Sequence, residues 1–142
     1  MGPGYAPADG IRNVVSGTPP ILGMVPVRHG VELIAEAGIE AIRAKSVLLT
    51  SFAIEIVDSW PEDLGVRVAS PRETSQRGGH VTIVRPDFRE LMPVLWERGV
   101  IPDFRAPDGI RIGMAPLSTS FLELYDAMRV IRVAAGGEAG RP

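Results

Sequence analysis

Residues 81–114, VTIVRPDFRELMPVLWERGVIPDFRAPDGIRIGM, decide the fold class because they hold strand, helix and turn signals in close succession. The β-branched run Val81–Val84 predicts a strand. Asp87 and Glu90 then have the spacing of a capping box, in which two side chains satisfy the free amides at a helix start. Pro93 lies inside this predicted helix and should bend or shorten it, because proline lacks the amide hydrogen that a helix needs. The stretch therefore begins as a strand followed by a helix.

Three further strands are predicted around this helix. Residues 100–104 and 110–114 are short apolar stretches on either side of the turn Pro107-Asp108-Gly109. Val66 and Val68 alternate with Arg67 and Ala69, as expected for a half-buried strand. A long polar loop joins them to Val81–Val84, so we expect these two strands to pair antiparallel.

Helical periodicity covers much of the remaining chain. Apolar residues recur at helical spacing over 27–38 and over 39–59, and Trp60-Pro61 ends the second helix because the residue before proline disfavours helix. Ser120 and Glu123 repeat the capping-box spacing before a last helix. One face of the long second helix is expected to be buried: Ile42, Leu49, Phe52, Ala53 and Ile56. The element order predicts an α+β fold, with helices on one face of a small, mostly antiparallel sheet, preceded by an extended arm and two helices.

The composition is that of one globular domain. The chain has 142 residues, of which 45% are apolar and 23% charged. Its formal net charge of −2 predicts neither nucleic acid nor a membrane surface as a partner. With no cysteine and two histidines, no metal site is predicted. The N-terminus lacks signal-peptide character and no apolar window is long enough for a membrane helix, so we expect a cytoplasmic protein.

Common catalytic motifs are missing from the chain. Neither a Gly-x-Ser-x-Gly elbow nor a Walker-type phosphate loop is present, and Arg77-Gly78-Gly79 is interpreted as a loop that leads into a strand. Lys45 is the only lysine. A lysine can bind a carbonyl cofactor covalently when its amine is made less basic, but Lys45 is interpreted as a solvated residue on a helix.

Two segments suggest binding chemistry. Thr18 precedes Pro19-Pro20, which would hold its hydroxyl and amide in a stiff turn that could bind an anion. A turn that only leads into a helix explains the same residues. Arg111 lies between apolar strand residues after a tight turn, and its planar guanidinium suits a carboxylate. An arginine on a solvated sheet face is the alternative.

The chain as a whole resembles kynureninase, a family of fold-type-I pyridoxal-phosphate enzymes. Each shared stretch is short, but together they recur in family order along nearly the whole chain. The stretches are Gly4-Tyr5-Ala6-Pro7, Gly10-Ile11, Gly17-Thr18-Pro19-Pro20-Ile21-Leu22, Glu36-Ala37-Gly38, Lys45-Ser46, Leu49-Thr50, Ser70-Pro71-Arg72, Arg77-Gly78-Gly79-His80, Arg98-Gly99-Val100-Ile101, Asp103-Phe104-Arg105, Pro107-Asp108-Gly109-Ile110-Arg111, Ala115-Pro116-Leu117 and Ser120-Phe121.

The resemblance covers only the C-terminal third of the family. Complete members have a larger N-terminal domain with the lysine that binds pyridoxal 5'-phosphate and the aspartate that pairs with its pyridine nitrogen. Neither has a counterpart here, and Lys45 matches a helix position rather than that lysine. The resemblance therefore implies a fragment whose partners are the missing N-terminal domain and, in the complete enzyme, a second subunit of a homodimer.

This resemblance divides the chain into four segments. Residues 1–26 are an extended arm with a cofactor-phosphate turn, and 27–60 are a helical connection from the missing large domain. Residues 61–135 form the small α+β domain, and 136–142 are a disordered tail. The arm and the long helix are expected to leave apolar side chains exposed when the large domain is absent.

The family's site residues match two positions of this chain. Thr18 matches the residue that contacts the cofactor phosphate from the neighbouring subunit, and Arg111 matches the arginine that pairs with the substrate α-carboxylate. No catalytic residue is assigned to this chain. Ser118-Thr119 stands where the family usually has Tyr-Asn, which puts aromatic packing near the substrate in question.

The implied activity is hydrolysis of L-kynurenine, or its 3-hydroxy form, to anthranilate or 3-hydroxyanthranilate and L-alanine, in tryptophan catabolism and NAD biosynthesis. Since the cofactor lysine is missing, the 142-residue chain alone is predicted to be inactive. Two alternatives stay open on the sequence: a fragment of another fold-type-I enzyme, such as a cysteine-desulfurase-like protein, and a non-catalytic module that binds a small molecule or a protein.

Overall fold

The computed structural model describes residues 4, 6–14 and 17–136. The chain divides into two compact units, Met1–Gly38 and Ile39–Pro142. The first unit contains a 3₁₀ helix, Gly10–Val14, and α1, Ile21–Ala37. The second unit contains α2 Ile39–Asp58, β1 Arg67–Val68, β2 His80–Val84, α3 Phe88–Glu97, β3 Asp103–Arg105, β4 Gly109–Gly113 and α4 Phe121–Ala135, with 3₁₀ turns at Glu62–Leu64 and Thr74–Gln76.

Helix α1 begins at Ile21, earlier than the predicted start at residue 27, so the extended arm ends sooner than expected. Pro20 can precede a helix because only its carbonyl is needed there, and that carbonyl accepts a hydrogen bond from Met24 N at 3.0 Å. Gly38 ends the helix with a φ of 77°, a left-handed value that favours glycine. In the part of the chain that the structure describes, no residue of α1 is buried.

Helix α2 packs against β1, β2 and α4. Of its expected buried face, Leu49 and Ala53 are fully buried, whereas Ile42, Phe52 and Ile56 are only half-buried. The buried arc is rotated because the helix contacts both the sheet and α4, and it also contains Ser46, Thr50, Ile54 and Val57. The sequence also predicts exposed apolar side chains on this helix; Ile39 and Leu48 are exposed, whereas the apolar residues from Leu49 to Val57 are buried or half-buried.

The sheet has four strands in the order β1-β2-β4-β3, and every neighbouring pair is antiparallel. The predicted strand at 100–104 is displaced, since β3 covers Asp103–Arg105. Val100 is unavailable to the sheet because its amide donates to Leu95 O at 2.9 Å and closes the end of α3. Pro102 follows and has no amide to donate.

The core lies between the helices and one face of the sheet. Alternation along β2 buries Val81 and Ile83, and alternation along β4 buries Ile110 and Ile112 on the same side. These side chains share a cluster with helix residues Leu49, Ala53, Phe88, Leu95, Leu124, Met128 and Ile131. The predicted α+β fold with an antiparallel sheet is confirmed.

The two predicted capping boxes have different outcomes. At α4, Glu123 N donates to Ser120 Oγ at 3.1 Å and Ser120 N donates to Glu123 Oε2 at 2.8 Å, so that capping box is confirmed. At α3 the prediction is wrong, because Asp87 makes no side-chain cap. Its Oδ1 lies 3.0 Å from Arg85 Nε, in an ion pair that lacks hydrogen-bond geometry. Helix α3 nevertheless continues through Pro93 to Glu97.

The unit boundary after Gly38 groups α2 with the sheet, whereas the predicted segment 27–60 groups it with α1. The four-part division of the chain stays a prediction. Apart from Gly136, the predicted disordered tail lies outside the described residues. Within the described ranges, no helix combines the length and the apolar character needed to cross a membrane.

Candidate functional site

Arg111 lies on the face of the sheet that the core leaves uncovered. Its strand neighbours Ile110 and Ile112 are buried against the helices, and successive side chains of a strand point to opposite faces. Within residues 39–136, helices α2, α3 and α4 contribute to the core on the other side. The register places Thr82 of β2 and Asp103 of β3 beside Arg111, one on each neighbouring strand. Arg111 therefore lies on the open face of the sheet, between Thr82 on one neighbouring strand and Asp103 on the other.

An acidic side chain holds one end of the Arg111 guanidinium. Arg111 Nη2 donates to Asp103 Oδ2 at 2.5 Å, and Arg105 Nη2 donates to the same oxygen at 2.6 Å. The side chain of Arg111 is 38% exposed and that of Asp103 is 47% exposed. An ion pair this exposed contributes little to stability, but it fixes the direction of the guanidinium. No other partner of Arg111 is found among the described residues, so its remaining N–H groups can meet a ligand.

Glycines flank Arg111 on its own strand. Because side chains alternate, Gly109 and Gly113 lie on the same face as Arg111, two positions before and after it. Arg111 is therefore the one side chain on the open face of β4; Gly113 is exposed, whereas Gly109 is buried. A strand glycine can mark a place where a ligand or another backbone approaches closely.

The open face has an excess of positive charge. Alternation and register place Arg67, Arg105 and Arg111 on this face, with Asp103 as the acidic member of the same rows. His80 begins β2 on the same face and is exposed. A planar guanidinium in such a field suits a carboxylate, the chemistry expected for Arg111 from the sequence.

Thr18 lies in the first unit, in the segment between the 3₁₀ helix and α1. Its side chain is exposed and has no hydrogen-bond partner among the described residues. Pro19 and Pro20 follow, and then α1, whose first turn contains no acidic residue. A free hydroxyl beside a helix N-terminus has the polarity that an anion requires. Thr18 belongs to the first compact unit and Arg111 to the second.

Lys45 lies on a helix of the second unit. It is half-buried on α2, and its charge, together with hydrogen bonds from Ser120, helps to hold the pKa of Glu123 below its ordinary value; the Ser120 hydrogen bonds are the larger cause. Lys45 thus lies on a helix, as interpreted from the sequence, but it is half-buried rather than solvated.

Arg77 also has a structural role. It is 6% exposed, and its guanidinium donates to Pro71 O at 2.9 Å, Arg72 O at 2.8 Å and Ser51 Oγ at 3.1 Å. These bonds tie the loop after β1 to α2. The interpretation of Arg77-Gly78-Gly79 as a loop that leads into a strand is confirmed, since β2 starts at His80.

Asp103 is a site residue that the sequence pattern does not reveal. In the sequence it stands only in the family stretch Asp103-Phe104-Arg105. The register of the β3–β4 hairpin would have predicted this contact. The two strands pair around Pro107, so Asp103 opposes Arg111 and Arg105 opposes Gly109. A hairpin centred on Pro107 brings the carboxylate beside the guanidinium, whereas a centre one residue later would pair Arg105 with Arg111.

The sequence of this chain is similar to those of known proteins over most of its length. A family model described as the kynureninase C-terminal domain matches residues 42–131. A kynureninase from Pseudomonas fluorescens is 35% identical over 131 residues, which cover 92% of this chain and 32% of that relative. Kynureninases from Burkholderia mallei (strain SAVP1) and Burkholderia pseudomallei (strain K96243) are each 36% identical over 141 residues, which cover 99% of this chain and 34% of each relative.

The chain thus spans about a third of the length of the curated relatives it matches. These similarities favour kynureninase over the cysteine-desulfurase-like enzyme and the non-catalytic module that the sequence leaves open.

Proposed function

The chain belongs to the kynureninase C-terminal domain family, and we propose that it works as the C-terminal part of a kynureninase. The assembled enzyme uses water to cleave the side-chain carbon–carbon bond of L-kynurenine, or of its 3-hydroxy form. The products are anthranilate, or 3-hydroxyanthranilate, and L-alanine. A cytoplasmic location and a role in tryptophan catabolism and NAD biosynthesis belong to the same proposal.

The observation that carries the proposal is the presentation of Arg111. Its guanidinium stands on the uncovered sheet face with one Nη fixed by Asp103 and its other donors available. A substrate α-carboxylate can accept two parallel hydrogen bonds from such a fork, which sets both the position and the rotation of the substrate. Lysine offers a point charge instead and cannot fix the rotation. We assign Arg111 to substrate binding and positioning.

The residues present fit one end of pyridoxal 5'-phosphate. When bound, this cofactor supplies the electron sink that carbon–carbon cleavage requires. The unpartnered Thr18 hydroxyl and the first amides of α1 suit the cofactor's phosphate, and we assign Thr18 to that role in the neighbouring subunit of a homodimer. The only lysine, Lys45, lies half-buried on α2. The lysine and the ring contacts must therefore come from the N-terminal part of the enzyme.

The proposal predicts a chain that is inactive alone and active when completed. We would assay the 142-residue chain with pyridoxal 5'-phosphate and L-kynurenine by anthranilate fluorescence, and then join it to the N-terminal part of the Pseudomonas fluorescens relative. Positioning by the missing part supplies much of the rate, so we expect anthranilate from the joined protein only. Turnover by the separate chain that survives Lys45→Ala would contradict this assignment.

A further inference from the structure

We propose that Asp103 is a positioning residue for the reaction. It sets the direction in which Arg111 presents its guanidinium to the substrate carboxylate, and it acts through Arg111 without contacting the substrate. This inference rests on the proposed role of Arg111 as the carboxylate anchor. It assigns to Asp103 an effect on the turnover of bound substrate, separate from the affinity for substrate that Arg111 provides.

Arg111 receives no support from side chains of its own strand. The two nearest positions on the same face of β4 are Gly109 and Gly113, and neither carries a side chain that could pack against the arginine. On β2 the register partner is Thr82, which is short and uncharged. An arginine side chain has several rotatable bonds and considerable rotational freedom to lose. Within the second unit as described, the direction of Arg111 is therefore fixed from β3.

Asp103 supplies that support from the paired position on β3. It is the register partner of Arg111, and Arg111 Nη2 donates to its Oδ2 at 2.5 Å. A hydrogen bond between two charged groups is strong and directional. Because the pair is exposed, it contributes little to the free energy of folding. Its main physical effect is to determine which edge of the guanidinium stays available to a ligand.

Arg105 prevents Asp103 from cancelling the charge of Arg111. Arg105 Nη2 donates to the same oxygen, Asp103 Oδ2, at 2.6 Å. Two cations thus share one carboxylate, and the three side chains together keep one net positive charge. An isolated pair of one arginine and one aspartate would be neutral and would attract a substrate carboxylate less. The shared carboxylate can therefore hold Arg111 in place while the group still attracts an anion.

This arrangement predicts a specific change in the kinetics. Without Asp103 the guanidinium of Arg111 can rotate, but two positive charges are left, so the attraction for a substrate carboxylate does not decrease. The bound substrate is then less well oriented, and a misplacement of about 1 Å can lower the rate about 100-fold. We therefore expect loss of Asp103 to lower kcat and to leave KM unchanged or lower.

The kinetic test measures kcat and KM for L-kynurenine in the joined protein at full cofactor saturation. Asp103→Ala should lower kcat about tenfold or more and should not raise KM. Asp103→Asn keeps an oxygen that can accept from Arg111 and should recover part of kcat. Asp126→Ala is the matched control, because it removes another exposed aspartate near an arginine, on α4, and should change neither constant. An unchanged kcat in Asp103→Ala, or a KM that rises as kcat falls, would overturn the proposal.

A second measurement needs no turnover. In the full 142-residue chain, ¹⁵N relaxation reports the picosecond-to-nanosecond order of the Arg111 Nε–H group. We expect it to be more ordered than Nε–H of Arg98, which is exposed and has no side-chain partner among the described residues. In Asp103→Ala the order of Arg111 should fall to that of Arg98, and in Asp103→Asn to an intermediate value. Equal order in all three proteins would overturn the positioning role.

The two measurements separate this inference from the proposed function. If the joined protein forms no anthranilate, the proposed function is wrong, and the relaxation data still decide whether Asp103 orders Arg111. If the joined protein is active and Arg111→Lys lowers kcat/KM while Asp103→Ala changes nothing, the anchor stands and the positioning role is wrong. Melting temperatures are recorded for both Asp103 variants. Should alanine lower the melting temperature, Asp103→Asn decides, and an unchanged kcat with unchanged Arg111 order in that variant would contradict the proposal.

Discussion

Arg111 differs from Arg72, Arg77 and Arg85 in how its side-chain donors are used. Arg72 gives both terminal nitrogens to Asp58, at 2.6 and 2.8 Å, and Arg77 gives its own to backbone carbonyls and Ser51. Arg85 donates to Ala135 O at the end of α4. Arg111 uses a single Nη for Asp103. Their partners thus mark the first three as structural residues, whereas Arg111, like Arg105, keeps donors that a ligand can use.

Thr18 carries the residue-scale prediction for the cofactor. In the joined protein, Thr18→Ala should weaken the affinity for pyridoxal 5'-phosphate about tenfold or more, because a hydrogen bond to a charged partner contributes about 1.5 kcal/mol or more. Cofactor release during dialysis, followed by absorbance, measures the effect. Thr18→Ser keeps the hydroxyl and should retain the cofactor. Equal release from the alanine variant and the unchanged protein would remove Thr18 from the phosphate site.

At the scale of secondary-structure elements, α4 depends on its capping box. Ser120→Ala removes the acceptor of Glu123 N, and such a substitution costs about 1 kcal/mol. We expect the melting temperature to fall by about 4 °C or more, as measured by circular dichroism. Ser118→Ala lies just before the helix at an exposed position, where no side-chain hydrogen bond is found among the described residues, and serves as the control. Equal melting of both variants would show that the cap contributes nothing.

The ion pair between α2 and the loop after β1 predicts a pH dependence. Hydrogen bonds from Arg72 hold the pKa of Asp58 below its ordinary value. A lowered folded-state pKa stabilises the protein above the ordinary carboxyl pKa of about 3.9, and that stability is lost as pH falls through the folded-state pKa. The melting temperature should therefore drop in acid, and Asp58→Asn should show a shallower drop. Identical acid profiles would exclude Asp58 as a contributor. Both groups are exposed, so the effect is small.

Local patterns predict some elements of this fold and not others. The alternation of β2 and β4, and the Ser120–Glu123 cap, follow from neighbours in sequence and are confirmed. The start of β3, the buried face of α2 and the Asp87 cap depend on partners from distant segments, and their predictions are displaced or wrong. The same distinction holds at the site. Arg111 can be predicted as a site residue from the sequence, whereas its contact with Asp103 can be predicted only once the register of the hairpin is known.

At the scale of the whole molecule, the two units differ in how they bury apolar residues. The second unit has a continuous core. In the first unit, α1 carries large apolar side chains that are exposed around the helix: Ile21, Leu22, Met24, Val25, Val27, Val31, Leu33 and Ile34. Ile11 and Val14 are exposed as well, while Val15 lies outside the described residues. An apolar surface of this extent marks an interaction site or promotes association.

This surface predicts the behaviour of the purified chain. We expect it to self-associate or to bind a hydrophobic dye, as measured by size-exclusion chromatography and dye fluorescence. Leu22→Glu combined with Val25→Glu in α1 should reduce both signals, because charge on the helix opposes association. Leu122→Glu on α4, also exposed, is the matched control. A monomer that binds no dye and melts cooperatively would count against the proposal that the chain needs the rest of the enzyme.

The measurement that tests the central claim most directly is kcat/KM for L-kynurenine in the joined protein, at full cofactor saturation, for Arg111→Lys beside Arg105→Lys. Both substitutions keep the charge and remove a guanidinium that contacts Asp103. If Arg111 anchors the substrate carboxylate, Arg111→Lys lowers kcat/KM by about tenfold or more, and Arg105→Lys lowers it much less. An Arg111→Lys protein with unchanged kcat/KM would contradict the account.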